Sequence, residues 1–469
     1  MDSRDFWYDD EMLKSVNRWE DMIKNHQRRF FDVEELEDII DYYMDTNDIP
    51  QAAQAAYYAA GLYPTATSIQ FRIAEIFIDN GQPAKALSLL NKLEQLESGD
   101  YFVYLLKGAA FNLLGRARDA QRQFEKAISL ADEDKIYVLY DIGMSFEQIN
   151  QHKVALKYFL KVHAMDPDNY YVYYDLAYCY ERINDLDSSS AYYLKYLDED
   201  PFSEHVWYNL GIVYNKKNED EKAIEAYDYA LAINPAYASA LFNKANTLTS
   251  MERYMEAVEV YGEYLEIEPD SPAAYCYIGE CYGKTGDNNT AMRFFDKALT
   301  MDENFADTWY GMGVIHAQAE NYKDAVRCIS QALKLDSDNP EYLLALAASC
   351  ANMRQYAKAL KLFRQLVDIN PEDELYWDGY AQTCAQQKKY PDAQQIATEG
   401  IRHIPDSAML RYHLAAFYLL NDDRLQGLTI LKETLDNFPA EIDFFFELFD
   451  KANYDEEVMT LVRNISEKN

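Results

Sequence analysis

Apolar and small positions return along this chain on two superposed periods. The short one is helical. Within segments of about 13 residues, large apolar side chains fall at the three- and four-residue spacing that gathers one face of an α-helix. The long period is 34 residues. Ala52, Ala86, Ala120, Ala155, Ala223, Ala257, Ala291, Ala325, Ala359 and Ala393 are separated by 34 residues or multiples of it, with one step stretched to 35. Ser189 and Gly427 fill the two remaining rungs, and both are small. All 13 prolines fall where this period places a helix boundary. The pattern predicts paired helices stacked in tandem. Neither helix of a pair can bury its apolar face alone, so each pair is stabilised by its neighbours.

Counted from Val33, successive repeats begin at Thr67, Tyr101, Ile136, Tyr170, Glu204, Ala238, Pro272, Ala306, Pro340, Glu374 and Ala408, and a shortened one begins at Ile442. The expected organisation is a capping helix within 1–32, twelve tandem repeats over 33–441, and a partial repeat that caps the end over 442–469. Residues 9–28 read as an amphipathic helix with Trp19, Met22 and Ile23 on one side. No Pro/Gly/Ser-rich stretch or charge block interrupts the chain, so no linker is expected.

Position 8 of the repeat is small in eleven of twelve cases, for example Gly108, Gly143, Gly211 and Gly313, with Ile40 the exception. Position 20 is small in all twelve. Small residues on both helices let the backbones approach, and large residues at positions 4, 7, 11 and 24 fill the space beside them. Position 15 is Asn or Gly in seven of the first eight repeats, which suits a left-handed residue ending the first helix. Proline at position 32 stops the second helix, whereas Pro50, Pro83, Pro272, Pro340 and Pro391 open helices, where their missing N–H costs nothing.

The sixth repeat, EHVWYNLGIVYNKKNEDEKAIEAYDYALAINPAY, carries Trp207, Leu210, Gly211, Tyr214, Ala223, Tyr227, Ala230 and Pro235. These match the pattern W-x2-L-G-x2-Y, A-x3-F, A and P, with Tyr227 where Phe is preferred. The chain therefore resembles a tetratricopeptide repeat protein over residues 33–441. The resemblance implies an all-α solenoid, a right-handed superhelix whose first helices line a concave groove through positions 2, 5, 9 and 12. It also implies a polypeptide partner.

The side chains at those positions are strongly aromatic. Position 5 carries Phe71, Tyr140, Tyr174, Tyr208, Phe242, Tyr310 and Tyr412; position 2 adds Phe102, Tyr137 and Tyr171; position 9 adds Tyr178 and Asn246. Tyrosine combines a large apolar area with a polar tip and little rotamer entropy to lose, which suits a binding floor. The competing reading is that position 5 rings pack on the next repeat, because that position borders the seam. Family members that clamp the carboxylate tail of heat-shock chaperones need a lysine where this chain has aromatics, and Asn209, Asn243, Asn246 and Lys284 are isolated echoes of that clamp. The asparagine ladder of the enzyme that adds N-acetylglucosamine to proteins survives only at Asn209 and Asn243.

The net charge of −36 excludes sequence-independent nucleic-acid binding and argues against an anionic membrane surface. It favours a basic partner with apolar or aromatic side chains, although solubility alone can account for the charge. There is no run of about 18 apolar residues, and Met1–Phe6 lacks the order of a signal peptide. Cys179, Cys276, Cys281, Cys328, Cys350 and Cys384 show no metal-site spacing, which fits free thiols in the cytoplasm. The 7 histidines form no metal-ligand pair and no phosphate-binding or nucleophile motif occurs, so neither cofactor, metal nor catalysis is expected. The expected function is a scaffold that holds a partner segment in its groove. The alternative is a structural subunit that joins an assembly through its convex face and ends. Phe444, Phe445, Phe446 and Phe449 would then form a contact between copies instead of a cap.

Overall fold

The computed structural model describes residues 10–26, 29–449 and 456–466. The leader Met1–Phe6, the end of the expected first helix at Gln27 and Arg28, and parts of the C-terminal segment lie outside the described residues. Every regular element among the described residues is a helix. The contacts divide the chain into two compact units, Met1–Pro235 and Ala236–Asn469.

In the first unit the opening helix, Asp10–Asn25, lays Val16, Trp19 and Met22 against Phe31, Leu36, Ile39 and Ile40 of the first repeat. That repeat pairs Val33–Asp45 with Ile49–Leu62, and its first helix starts in a capping box between Asp32 and Glu35. Five further pairs follow, ending at Ile233. Two depart from the expected phase. The first helix of repeat four begins at Lys135, one residue early, and that of repeat five at Val172, two residues late, with Tyr170 and Tyr171 stacked on each other in the preceding turn at 4.2 Å. The second unit holds six more pairs, from Ala238 to Asn437, then a short helix Asp443–Leu448 and a final helix Glu456–Ser466.

The small position 8 is a slot for the large position 24. A Cβ added at Gly108, Gly143 or Gly211 would stand 2.3, 2.5 or 2.5 Å from the ring of Phe124, Phe159 or Tyr227 of the same repeat. These rings are fully buried, so they cannot swing aside. In the second unit Phe295 is gripped twice, by Gly279 of its own repeat and by Gly311 of the next, at 2.8 and 2.6 Å from their virtual Cβ atoms. One ring thereby keys a hairpin together and docks the following one.

Hydrogen bonds at two places fasten the hairpins, one in every repeat and one in some of them. At every one of the twelve first-helix ends, position 15 takes a positive φ and the next residue returns its N–H to the carbonyl five residues back, as in Gln82→Phe77 at 2.7 Å and Asn321→His316 at 2.8 Å. Five of these residues, Glu252, Glu320, Arg354, Lys388 and Asp422, are neither Gly nor Asn, so the turn is imposed by packing. Position 4 ties down the entering loop. The indole N–H of Trp207, Trp309 and Trp377 donates to the carbonyls of Pro201, Glu303 and Pro371 at 2.9–3.0 Å.

At the far end Phe445 and Phe449 turn inward onto Ala415, Leu419, Leu431 and Leu435. His413, buried, bonds Asp378 through Nδ1 and the Phe444 carbonyl through Nε2.

Two stability measurements test these devices. Gly143→Ala should lower stability by roughly 1–3 kcal/mol through overpacking, read by urea unfolding. Combining it with Phe159→Leu should cost less than the sum of the two changes, because they share one contact. Additive costs would show that the slot is not the constraint. Glu320→Gly should raise stability by roughly 0.5–1 kcal/mol, because relief of the left-handed strain outweighs the extra chain entropy.

Candidate partner-binding clefts

First helices of neighbouring repeats lie side by side within each unit, and their exposed stripes meet in clefts. In the first unit a cleft of about 420 Å³ runs over the first helices of repeats one to four. Its floor is Ile78, Phe102, Leu105, Leu106 and Ala109, with Met44 and Met144 at either side. Glu75, Asp79, Asp141 and Glu147 line it as well, and no Lys or Arg does. Arg72, the cation that acts on Glu75, is already bound by Asp41 through two hydrogen bonds of 2.7 and 2.6 Å and lies 3.7 Å from Glu37. In the second unit a cleft of about 310 Å³ lies over repeats eight to ten, lined by Tyr277, Tyr310, Val314 and Ile315 together with Glu280, Asp307, Glu341 and Lys284.

Burial sets the electrostatics. It pushes the Glu75 carboxyl up to about 8, with Asp41, Asp79 and Asp141 adding repulsion that Arg72 opposes. Asp141 is raised to about 6 by burial alone. Glu147 is raised by burial, against the Cys179 thiol that donates to it at 3.8 Å. Glu280 reaches about 7 through burial and then the nearby charges of Asp307 and Glu341. Asp175, on the next first helix beyond Glu147, is raised to about 7 by burial.

Of the twelve groove residues expected from the sequence, the clefts use Phe102 and Tyr310. Most position 5 rings belong to the seams. Phe71 is 6% exposed and packs edge-on against Phe102 at 5.4 Å. Tyr412 is 0% exposed and donates to the Phe438 carbonyl at 2.6 Å. Both are interior side chains, because position 5 points between adjacent first helices and the neighbour covers it; neither can serve as a floor contact. Tyr140 leans on Phe159 at 5.5 Å with its hydroxyl bonded to Asp175. The Tyr174 hydroxyl accepts from Asn209 at 3.1 Å, across to the next repeat.

Tyr208 tilts against Tyr227 at 6.0 Å, and Phe242 sits among Tyr261, Tyr264 and Tyr277 at 5.1–5.8 Å. Asn246 accepts from the Tyr261 hydroxyl at 2.5 Å, so its amide oxygen is committed to its own repeat. Tyr178 meets His152 edge-on at 5.7 Å. Tyr310 stacks on Tyr342 at 4.8 Å and donates to Glu341 at 2.9 Å. Tyr137 is the most exposed of the set at 70%, and Tyr171 is exposed in the turn before its helix.

Glu75 and Glu280 are unremarkable in the sequence among 80 Asp and Glu residues, and Asp141 and Asp175 stand out there only as replacements in the asparagine ladder. The signal was their place. Glu75 and Glu280 occupy position 9 of first helices, and Asp141 and Asp175 occupy position 6.

No three His, Cys, Asp or Glu side chains among the described residues are grouped to hold a metal ion. All six cysteines are buried free thiols. No helix among the described residues is long and apolar enough to cross a membrane.

Helical hairpins of 34 residues, each keyed to the next through small and large positions, define an all-α repeat array. Tetratricopeptide repeat models match residues 38–101, 150–210, 206–237, 226–259, 284–348 and 318–383, more than half of the chain. The chain belongs to the tetratricopeptide repeat family. A search of curated proteins gave no match. Among solved structures, that of the MamA protein is 28% identical over 36% of this chain and 93% of its own, with a TM-score of 0.35. The structure of the APC/C hetero-tetramer Cut9–Hcn1 aligns over 97% of this chain and 100% of the matched one at 13% identity, with a TM-score of 0.41.

The raised carboxyls make a prediction about pH. A carboxyl whose folded pKa exceeds its unfolded value of about 4 holds its proton longer in the native state. Stability is then greatest below that unfolded value and falls as pH rises through the folded one. For Glu75, Asp141, Asp175 and Glu280 the window runs from about 4 to about 8. The melting temperature should therefore be higher at pH 5 than at pH 8. Glu280→Gln should narrow that gap, whereas Glu263→Gln, on an exposed face, should leave it unchanged.

Proposed function

We propose that the protein is a non-catalytic scaffold that holds a partner polypeptide segment along the stripe formed by its first helices. The observation that carries this reading is the repeated placement of the clefts. Both units build one on first helices, at positions 2, 5, 6, 9, 12 and 13, over three or four consecutive repeats. A concave surface with an apolar floor and polar walls suits an extended or helical segment. The packing onto Ala415 and Leu431 supports residues 442–469 as a cap on the array, with residues 1–32 capping the other end and twelve repeats, 33–441, between them. Buried free thiols suit a reducing compartment, and the cytoplasm is the location this favours. Exposed rings such as Tyr137 and Tyr171 would add contact area beside the first cleft.

Affinity capture from native cells with three full-length baits tests the scaffold. Ala109→Arg fills the floor of the first cleft, and Leu194→Arg changes an exposed position on a second helix. Proteins retained by the unaltered chain and by Leu194→Arg should be lost or strongly depleted with Ala109→Arg. Equal retention by both variants would remove the first cleft as the docking surface.

A further inference from the structure

A cleft that gathers carboxylates over an apolar floor and supplies no cation of its own is incomplete. Glu75, Asp79, Asp141 and Glu147 border the first cleft, and Arg72 is held by Asp41 outside its lining. Outside that lining, Asp175 on the next first helix is 7% exposed; it accepts from the Tyr140 hydroxyl, and its Oδ2 has no hydrogen-bond partner. Carboxylates crowded on an apolar floor without cations repel one another, and a partner that supplies the opposite charge relieves that repulsion. The carboxylates do not converge in threes on any common point among the described residues, so a single metal ion does not answer to them. Separate cations on an extended ligand do.

We propose that the first cleft binds a basic peptide segment in which two Arg or Lys side chains flank an apolar one. This rests on the scaffold reading and names its partner's chemistry. The spacing follows from the architecture. Glu75 lies on the first helix of repeat two and Asp141 on that of repeat four, with Phe102, Leu105 and Ala109 of repeat three between them. Asp141 is close enough to repel the Glu75 carboxylate, which places the two within about 10 Å, the range beyond which charges are screened. An extended chain covers that distance in about three residues. The two cations therefore sit at i and about i+3, and the residues between them meet the apolar floor.

The titration behaviour of the site gives an independent signature. The groups that face Glu75 are Arg72 and Asp79 on its own helix, Asp41 on the first helix of repeat one and Asp141 on that of repeat four, while repeat three presents apolar side chains. With its pKa at about 8, Glu75 is largely protonated at neutral pH. A guanidinium placed against it favours the ionised form, so binding releases a proton and tightens as pH rises from 6 to 8.

The test uses the full-length protein and the peptide Ac-Gly-Arg-Leu-Leu-Arg-Gly-NH2 in low-salt calorimetry. A second peptide carries citrulline in place of both arginines, which keeps the shape and removes the charge. The arginine peptide should bind, and the citrulline peptide at least about tenfold more weakly, as loss of a charge-assisted hydrogen bond implies. The heat of binding at pH 7 should differ between phosphate and Tris buffers by the amount that proton release requires. Glu75→Gln with Asp141→Asn should weaken the arginine peptide at least about tenfold while raising the melting temperature at pH 8, so loss of binding cannot be attributed to misfolding. Glu263→Gln with Glu266→Gln, equal in charge change but on an exposed second helix, should leave binding intact. No binding of the arginine peptide, equal binding of both peptides, or equal weakening by both double variants would overturn the proposal. Those results would leave the scaffold itself standing if Ala109→Arg still lost its captured proteins, and the partner would then be uncharged at this site.

Discussion

The fold depends on one steric fit, a small residue at position 8 of a first helix against position 24 of its second helix, tightest where a ring lodges on glycine. Because the fully buried Phe124, Phe159, Tyr227 and Phe295 touch backbone where glycine stands, the hairpin closes to one distance and one angle. Phe295 and Phe363 also reach the glycine at position 6 of the following repeat, Gly311 or Gly379. Interiors are close-packed, so such a contact is felt at the scale of a single methylene. Order in the array is thereby passed from neighbour to neighbour, as a stack of short modules requires.

That fit also decides what the remaining positions are free to do. Once positions 8 and 24 set the hairpin, the first-helix stripe at positions 2, 9 and 13, and at position 6 where no ring or terminal segment claims it, is left free of that packing. Charges can collect there. In the first unit they are carboxylates on an apolar floor, raised in pKa by burial and by each other. Polar groups held this way are destabilising in the free protein and become favourable once a complementary charge arrives. The second unit tempers the same arrangement with Lys284 and with tyrosine hydroxyls from Tyr310 and Tyr342 that donate to Glu341 and Asp307. The two clefts are thus chemically distinct, and a ligand suited to one is not automatically suited to the other.

The ends of the array use ordinary apolar burial. Trp19 at one end and Phe445 at the other fill the space that a neighbouring repeat fills elsewhere. The C-terminal segment adds a polar fastening, His413 between Asp378 and the Phe444 carbonyl. This binds that segment to the last two complete repeats.

The sequence alone determined the repeat, its period, the helix pairs and nearly all their boundaries. Those are set by spacing along the chain, such as the alanine ladder and the prolines at position 32, and each is read without knowing what lies across a contact. It also showed that position 5 is aromatic, but not which way those rings face. Phe71 and Tyr412 turned into the seams because the adjacent helix covers them, and coverage is a property of neighbours rather than of spacing. The left-handed turns at Glu320, Arg354 and Lys388 were invisible for the same reason: their residue types do not prefer that conformation, and packing of the hairpin imposes it. Glu75 was lost among the chain's many carboxylates until tertiary structure placed it with Asp141 on one apolar floor without a cation. Desolvation depends on what surrounds a group, and only the folded neighbours supply those surroundings.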